Sequence, residues 1–394
     1  IGIDNDQNKI NKLNENKSYI ERLTDENIKK LNKLKFKTAS NFEEICNTDM
    51  IILCLPTPLN KNKTPNVKHI KNAIKNIKKY ISPNTIISLE STTYPGTTEE
   101  LICNELNNNK LKIGNNLFVV YSPEREDPGN KKFNLNNTPK VVSGYTKFCR
   151  ILGKEIYQYV TPKVHLVENI KTAEMTKIFE NIYRSVNISL VNEIKFICDK
   201  LNIDVFDIIE AAKTKPFGYS PFYPGPGMGG HCIPIDPFLL AWKAKRIGVQ
   251  PKFIELSGEI NSKVPSFIYK KIKQHLIKKN LNKKKVKLLL LGAAYKKNIS
   301  DIRETPFIKI SEILYKNKIN FDYNDPFVKF IKIFDNSKLL KSKNLIINKI
   351  NNYEIVIIVT DHDKYNYQKI LKYSKNIIDT RGRYKLNNFK IIRG

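Results

Sequence analysis

Short apolar runs that end in polar or turn residues recur along the chain, and amphipathic stretches separate them. Buried parallel strands have such near-continuous apolar runs, and helices connect them. The runs occupy residues 50–55, 85–89, 117–121, 286–291, 355–360 and 376–379. The pattern therefore predicts parallel α/β units in two groups, one towards each end of the chain.

The stretch from about 168 to 279 has few strand patterns. A long helical pattern covers 170–201, and a glycine-rich loop and further helix follow it. "DMIILCLPTPL" near the front and "YEIVIIVTDHD" near the end have similar strand-and-turn patterns. We therefore predict an α/β fold with two Rossmann-like domains, 1–165 and 280–394, joined by a central helical domain, 166–279.

The first residues read as the end of a strand, "IGID", followed by a helix, "NDQNKINKL". In a dinucleotide-binding βαβ unit, an acidic residue at this point binds the adenosine ribose, about 20 residues after the phosphate-binding glycines. Asp4 would then be that ligand, and a first strand with its glycine turn, on the order of 25 to 30 residues, would precede residue 1. The alternative is that Asp4 is an exposed helix cap.

Composition narrows the class of protein. The chain has 394 residues and is long enough for two or three domains, and no apolar run approaches the length of a membrane span. Six scattered cysteines without a CxxC pair favour a reduced cytoplasmic protein over a zinc ribbon or a disulfide framework. The net charge of +30 comes from lysines spread over the whole chain, which disfavours a nucleic-acid-binding face but would help to attract anionic small molecules.

A glycine cluster, "GPGMGG" at 225–230, formally matches GxGxxG. We reject a dinucleotide site here, because no strand pattern precedes the cluster and prolines follow it. The loop instead offers bare backbone beside Cys232, with Asp236 four residues on. A lone cysteine is ordinarily a core residue, and His231 is a poor candidate for a base or metal ligand because no second histidine lies nearby. No metal site is predicted.

Several motifs together resemble the nucleotide-sugar 6-dehydrogenase family, the UDP-glucose and GDP-mannose dehydrogenases. The cysteine loop "GGHCIPID" matches the family pattern GG-[SH]-C-x-P-x-D. The other motifs, in order, are "LCLPTPL", "ESTTYPGTTEE", "YSPEREDPGN", "KTAEMTKIFENIYRSVNISLVNE", "LGAAYKKNISDIRETP" and "DTRGRY". The resemblance covers essentially the whole chain.

The resemblance implies a four-electron oxidation of a UDP-sugar C6 alcohol to a carboxylate with NAD as cofactor. It implies that Cys232 captures the aldehyde, because a second hydride can leave only from a tetrahedral carbon. The implied catalytic residues are Cys232, Lys177, Asp236, Asn181, Glu124 and Thr92. NAD would contact Asp4, Lys9, Thr57, Thr92 and Arg303, and the UDP-sugar would contact Lys296, Arg381, Gly229 and Gly230.

Two positions depart from the relatives that act on UDP-glucose. Pro128 stands where they carry a second acid, and Ile235 stands where they carry lysine before the loop aspartate. Both differences, with "PFGYSPFYPGPG" before the cysteine, favour the branch that acts on UDP-N-acetylhexosamines for surface polysaccharides, with UDP-N-acetylglucosamine as the expected substrate. The alternative substrates are UDP-N-acetylmannosamine, the C2 epimer, and UDP-glucose. An alternative of another class is an inactive, truncated UDP-sugar-binding fragment. The family also implies a homodimer or higher homo-oligomer formed through the central helices.

Overall fold

The computed structural model describes residues 1–20, 23–127, 132–334 and 339–394. Its strands are β1 Gly2–Ile3, β2 Thr38–Ala39, β3 Met50–Leu53, β4 Thr85–Leu89, β5 Leu117–Tyr121, β6 Lys140–Gly144, β7 Val164–Leu166, β8 Lys287–Leu291, β9 Asn320–Asn324, β10 Phe330–Ile331, β11 Leu340–Lys341, β12 Ile355–Ile358, β13 Ile377–Asp379 and β14 Ile391–Arg393. Its α-helices are α1 Gln7–Asn14, α2 Asp25–Lys33, α3 Lys68–Tyr80, α4 Asn104–Leu106, α5 Lys147–Gln158, α6 Ile170–Leu201, α7 Val205–Ala212, α8 Asp236–Arg246, α9 Lys252–Lys278, α10 Pro306–Lys316 and α11 Tyr367–Tyr373. Shorter helical turns occupy Glu43–Ile45, Glu99–Cys103 and Ile347–Asn352.

The chain divides into two compact units, Ile1–Glu180 and Asn181–Gly394, with the boundary inside α6. The first unit contains a five-stranded sheet in the order β3-β4-β5-β6-β7. Its β3, β4 and β5 are parallel, and β6 pairs antiparallel with β5. All residues of β4 and β5 are buried, because helices and loops cover both faces of the sheet.

A separate two-stranded parallel sheet, β1-β2, belongs to the same unit. A pocket of about 550 Å³ is lined by Ile3 and Asp4 on one side and by the edge strand β3 and helix α3 on the other. Ile52 on this edge strand is 49% exposed. The N-terminal residues therefore border an open pocket.

The second unit is built on a five-stranded parallel sheet in the order β14-β13-β12-β8-β9. The strand order reverses between β8 and β12. The connection after β8 runs to β9 on one side of the sheet, and the connection after β12 runs to β13 on the other side. Ligands of open α/β sheets bind in the crevice at such a switch point, outside the carboxyl ends of the strands. This places the loops after β8, β12 and β13 around one potential binding crevice.

The predicted elements agree closely with these bounds. The helix predicted over 170–201 is α6 at both ends, and the predicted α/β class with parallel sheets is confirmed. Strand β6 was not predicted, and its antiparallel pairing with β5 was therefore not predicted either. The domain limits at 165 and 279 stay a prediction. No helix in the described ranges is both long enough and apolar enough to span a bilayer.

Candidate active site

Asp4 lies directly after β1, at the carboxyl end of the strand. Its carboxylate accepts the Asp6 amide at 2.9 Å and pairs with Lys9 Nζ at 3.0 Å. Burial acts to raise the pKa of Asp4, but these hydrogen bonds outweigh it and hold that pKa below its ordinary value. The N-cap of α1 is Asp6, so the alternative that Asp4 caps this helix is wrong. An ionised carboxylate at this edge suits a ribose diol, which donates two hydrogen bonds.

Thr57 and Thr92 follow β3 and β4, two neighbouring parallel strands. Thr57 is buried, and its hydroxyl donates to the Thr92 carbonyl at 2.6 Å. The carboxyl ends of parallel strands meet at the same edge of a sheet, which is why two residues 35 positions apart come together. Both therefore lie at the sheet edge where a dinucleotide is expected.

Glu124 follows β5 at the same edge and is half exposed. Its Oε1 accepts the amides of Arg125 and Glu126, each at 2.7 Å. Its Oε2 lies 3.7 Å from the ammonium of the buried Lys140. Pro128, where a second acid would stand in relatives that act on UDP-glucose, lies outside the described residues.

Lys177 and Asn181 occupy one face of α6, four residues apart. Lys177 is 7% exposed and Asn181 is fully buried, so neither belongs to a solvated helix face. The Asn181 amide donates to Asp236 Oδ2 at 2.5 Å, and its oxygen accepts a hydrogen bond from Arg184. The amide orientation is therefore set by two charged partners.

Cys232 lies in the glycine loop, partly buried, just before α8. Its carbonyl accepts the Asp236 amide at 2.8 Å, so one turn links the thiol residue to the buried carboxylate. Helix α8 begins at Asp236, six residues after the last glycine of the loop, and the described residues between α7 and the loop, 213–224, contain no strand. The rejection of a dinucleotide fingerprint here agrees with this geometry.

The glycine loop packs against the segment before α10. Gly230 adopts φ +89° and donates its amide to the Arg303 carbonyl at 2.9 Å. Arg303 pairs with Asp301, which raises the pKa of Arg303, and the nearby Cys232 adds to that shift. Arg303 thus lies beside the cysteine loop. Burial and the Arg303 charge lower the pKa of His231.

Lys296 and Arg381 follow β8 and β13 at the carboxyl edge of the second sheet. Arg381 donates from Nε to the Val359 carbonyl at 2.9 Å, and its guanidinium lies against Gly225. Asp325 holds the loop that carries Lys296, because its Oδ2 accepts two amides of that loop and His362 Nε2 at 3.0 Å. Two cations on rigid supports at this crevice suit a diphosphate.

Two buried lysines that contact candidate site residues or the glycine loop were not predicted from the sequence. Lys140 begins β6 between two glutamates, and Lys195 on α6 donates to the Gly225 carbonyl at 3.0 Å. Lys140 is the first residue of a strand, and Lys195 is one of many lysines in a helical pattern. Because lysine is so common in this chain, the sequence does not distinguish these two buried lysines from exposed ones. The ranges that the structure describes hold no cluster of three or more metal-ligating side chains.

Three protein-family models match the chain in order. They are the NAD binding domain over residues 1–161, the central domain over 171–263 and the UDP binding domain over 289–386, all of the UDP-glucose/GDP-mannose dehydrogenase family. The NAD binding match contains Asp4, Thr57 and Thr92, the central match contains Cys232 and Asp236, and the UDP binding match contains Lys296 and Arg381.

Curated relatives and solved structures agree. The chain is 36% identical to Protein CapL of Staphylococcus aureus over 82% of its own length and 76% of the relative. It is 32% identical to UDP-N-acetyl-D-glucosamine 6-dehydrogenase of Salmonella typhi over 93% and 85%. The structure of UDP-D-ManNAc dehydrogenase from Pyrococcus horikoshii superposes with a TM-score of 0.89 at 29% identity, covering 99% of this chain and 91% of that one. The chain therefore belongs to the UDP-glucose/GDP-mannose dehydrogenase family of NAD-dependent nucleotide-sugar 6-dehydrogenases.

Proposed function

We propose that the protein oxidises the C6 alcohol of UDP-N-acetylglucosamine to the uronic acid. The alcohol, two NAD+ and one water give the carboxylate, two NADH and three protons. The observation that carries this proposal is the buried link from the Cys232 turn through Asp236 to Asn181. A cysteine one backbone turn from a carboxylate suits a four-electron oxidation better than a simple alcohol oxidation, since the acyl enzyme must be hydrolysed.

Each residue has a defined task in this proposal. The Cys232 thiolate adds to the C6 aldehyde and forms a C–S bond, which gives a tetrahedral thiohemiacetal and, after oxidation, a thioester. Asp236 takes a proton from the water that attacks the thioester, and the C–S bond then breaks to return the thiolate. Lys177 and Asn181 stabilise the oxyanions that form at C6. Thr92 orients a water or the C6 oxygen, and Glu124 exchanges a proton near the same carbon.

NAD+ supplies the hydride acceptor in both oxidations. Asp4 and Lys9 would hold its adenosine ribose, and Thr57 and Thr92 would lie on the nicotinamide side. Arg303 would also contact NAD. Lys296, Arg381 and the bare backbone of Gly229 and Gly230 would hold the UDP-sugar.

The N-acetyl branch is supported by Ile235 before Asp236 and by the match to the Salmonella typhi enzyme. A second candidate is UDP-N-acetylmannosamine, because the UDP-D-ManNAc dehydrogenase from Pyrococcus horikoshii has the same fold over 99% of this chain. The two sugars differ only in configuration at C2. Pocket shape around that carbon decides between them.

The test is to incubate the purified full-length protein with NAD+ and each UDP-sugar and to count NADH per sugar. UDP-N-acetylglucosamine is expected to give two NADH, and activity with UDP-glucose alone would refute the proposal. Binding of UDP-sugar without any NADH formation would support the inactive fragment instead. Cys232→Ser is expected to stop at or before the thioester stage, whereas normal four-electron oxidation by this variant would exclude the covalent mechanism.

We also propose a homodimer formed through α6. Exposed apolar side chains recur on this helix at Met175, Phe179, Tyr183, Leu190 and Ile197, a spacing that puts them along one helical stripe. Exposed apolar stripes of this kind mark interaction surfaces. The six cysteines are all free thiols, which supports the proposed reducing, cytoplasmic location.

A further inference from the structure

A buried lysine lies between two glutamates at the carboxyl edge of the first sheet. The Lys140 ammonium is 3.4 Å from Glu90 Oε2 and 3.7 Å from Glu124 Oε2. The Lys140 side chain is 5% exposed, that of Glu90 is 13% exposed and that of Glu124 is 48% exposed. One cation therefore joins a deep carboxylate to one that faces solvent.

Helix α5 supports the deep end of this cluster. The Tyr157 hydroxyl donates to Glu90 Oε1 at 2.6 Å and is 2.7 Å from Ser88 Oγ. Burial and the Glu90 charge raise the pKa of Tyr157, so the phenol keeps its proton and remains a donor. The Lys140 ammonium also lies 5.2 Å from the centre of the Tyr157 ring. Both Glu90 oxygens thus have a partner, and Glu90 cannot turn away from Lys140 without losing one.

Other charged groups near Glu124 do not replace Lys140. The Arg125 guanidinium is engaged by Glu180 and by the Pro139 carbonyl. The Glu126 carboxylate accepts the Leu135 amide. At the end of β3, burial and the Glu90 charge raise the pKa of Cys54 to about 11, so this thiol stays neutral. Among the described residues of this unit, Lys140 is thus the cation with an ion-pair contact to Glu124.

We propose that Lys140 is a positioning residue that holds Glu124 Oε2 through the ion-pair contact, and that Glu90 and Tyr157 limit how strongly it does so. A buried ammonium is costly without a counter-ion, and the Glu90 carboxylate lies 3.4 Å from Lys140 as that counter-ion. The same charge then acts on Glu124, which must be ionised to accept a proton and protonated to return it. This inference rests on the proposed function, because Glu124 matters only if it exchanges protons at C6.

Two substitutions should move the pH profile in opposite directions. Lys140→Met removes the cation and favours protonated Glu124, so the acid limb of kcat/KM is expected to move up by roughly half to one pH unit, allowing for solvent screening. Glu90→Gln removes the competing anion, so the Lys140 charge acts undivided on Glu124. The acid limb should then move down. A residue that merely supports the fold would not give shifts of opposite sign.

The matched control is Lys163→Met, which removes an exposed lysine next to β7 and should leave the limb unchanged. Glu124→Gln separates the two proposals. If that variant keeps the wild-type acid limb, the role of Glu124 in the proposed function is wrong. Suppose instead that the acid limb of kcat/KM changes in Glu124→Gln. If Lys140→Met and Glu90→Gln then leave this limb unmoved, or both shift it in the same direction, the positioning role of Lys140 is wrong. Should Lys140→Met fail to fold, Glu90→Gln alone decides, and an unmoved limb overturns the inference.

Discussion

Gly229 is a point at which the space around the cysteine loop can be tested directly. A Cβ atom added here would lie 2.7 Å from Tyr295 Cβ, 3.0 Å from the Glu304 carbonyl oxygen and 3.0 Å from Pro306 Cδ. None of these atoms is the free end of a flexible side chain. The φ of Gly229 is outside the left-handed region, so Gly229→Ala adds a steric clash without backbone strain.

Forcing an extra methyl group into a filled space costs about 1–3 kcal/mol. Relief of this clash requires the loop to move away from the segment that precedes α10. Cys232 lies three residues beyond Gly229, so its sulfur would be displaced with the loop. Because a displacement of about 1 Å can cost on the order of a hundredfold in rate, we expect turnover to fall at least tenfold.

The assay pairs the free energy of unfolding in urea with kcat for NADH formation. The control is Gly248→Ala, at a glycine with φ +81° and open space around its position. This control should lose about 1 kcal/mol through backbone strain while turnover stays normal. If Gly229→Ala kept both wild-type stability and wild-type kcat, the packing argument would be refuted. Lost stability with unchanged kcat would show that the loop position does not control Cys232.

Two further predictions concern α6. Burial, and then repulsion from Arg381, lower the pKa of Lys195 to about 7, so between pH 7 and about 10 the unfolded chain binds a proton that the folded one does not. The free energy of unfolding of the wild type, relative to that of Lys195→Met, should therefore rise over this range by up to about 1.4 kcal/mol per pH unit. If urea titrations at pH 7 and pH 9 gave the same difference between the two proteins, this prediction would be contradicted. Phe179→Glu places a charge on the exposed apolar stripe and should convert a dimer to a monomer in light scattering, whereas Lys75→Glu, at an exposed position of α3, should not. A dimer that survives Phe179→Glu would exclude this interface.

The longest helix and six of the strands could be predicted because their signals are local. These strands are β3, β4, β5, β8, β12 and β13. The runs at 85–89 and 117–121 are β4 and β5 to the residue, since buried parallel strands need apolar side chains on both faces. The antiparallel direction of β6 relative to β5 could not be predicted from such a pattern. Its residues are as buried as those of β4, and strand direction depends on partners that periodicity does not identify.

In the candidate site too, contacts that are local in sequence could be predicted and contacts between distant segments could not. Cys232 and Asp236 stand four apart in one loop, so their proximity follows from the sequence. The Asn181 contact with Asp236 spans 55 positions and needed the resemblance or the fold. Lys140 shows the limit most clearly, because 68 residues of the chain are lysine or arginine and nothing local separates a buried cation from a surface one. A lysine indicates a functional site only when its charge is buried, because burial of a charge is costly and needs a compensating partner. In a lysine-rich chain, burial therefore identifies which charged side chains to test.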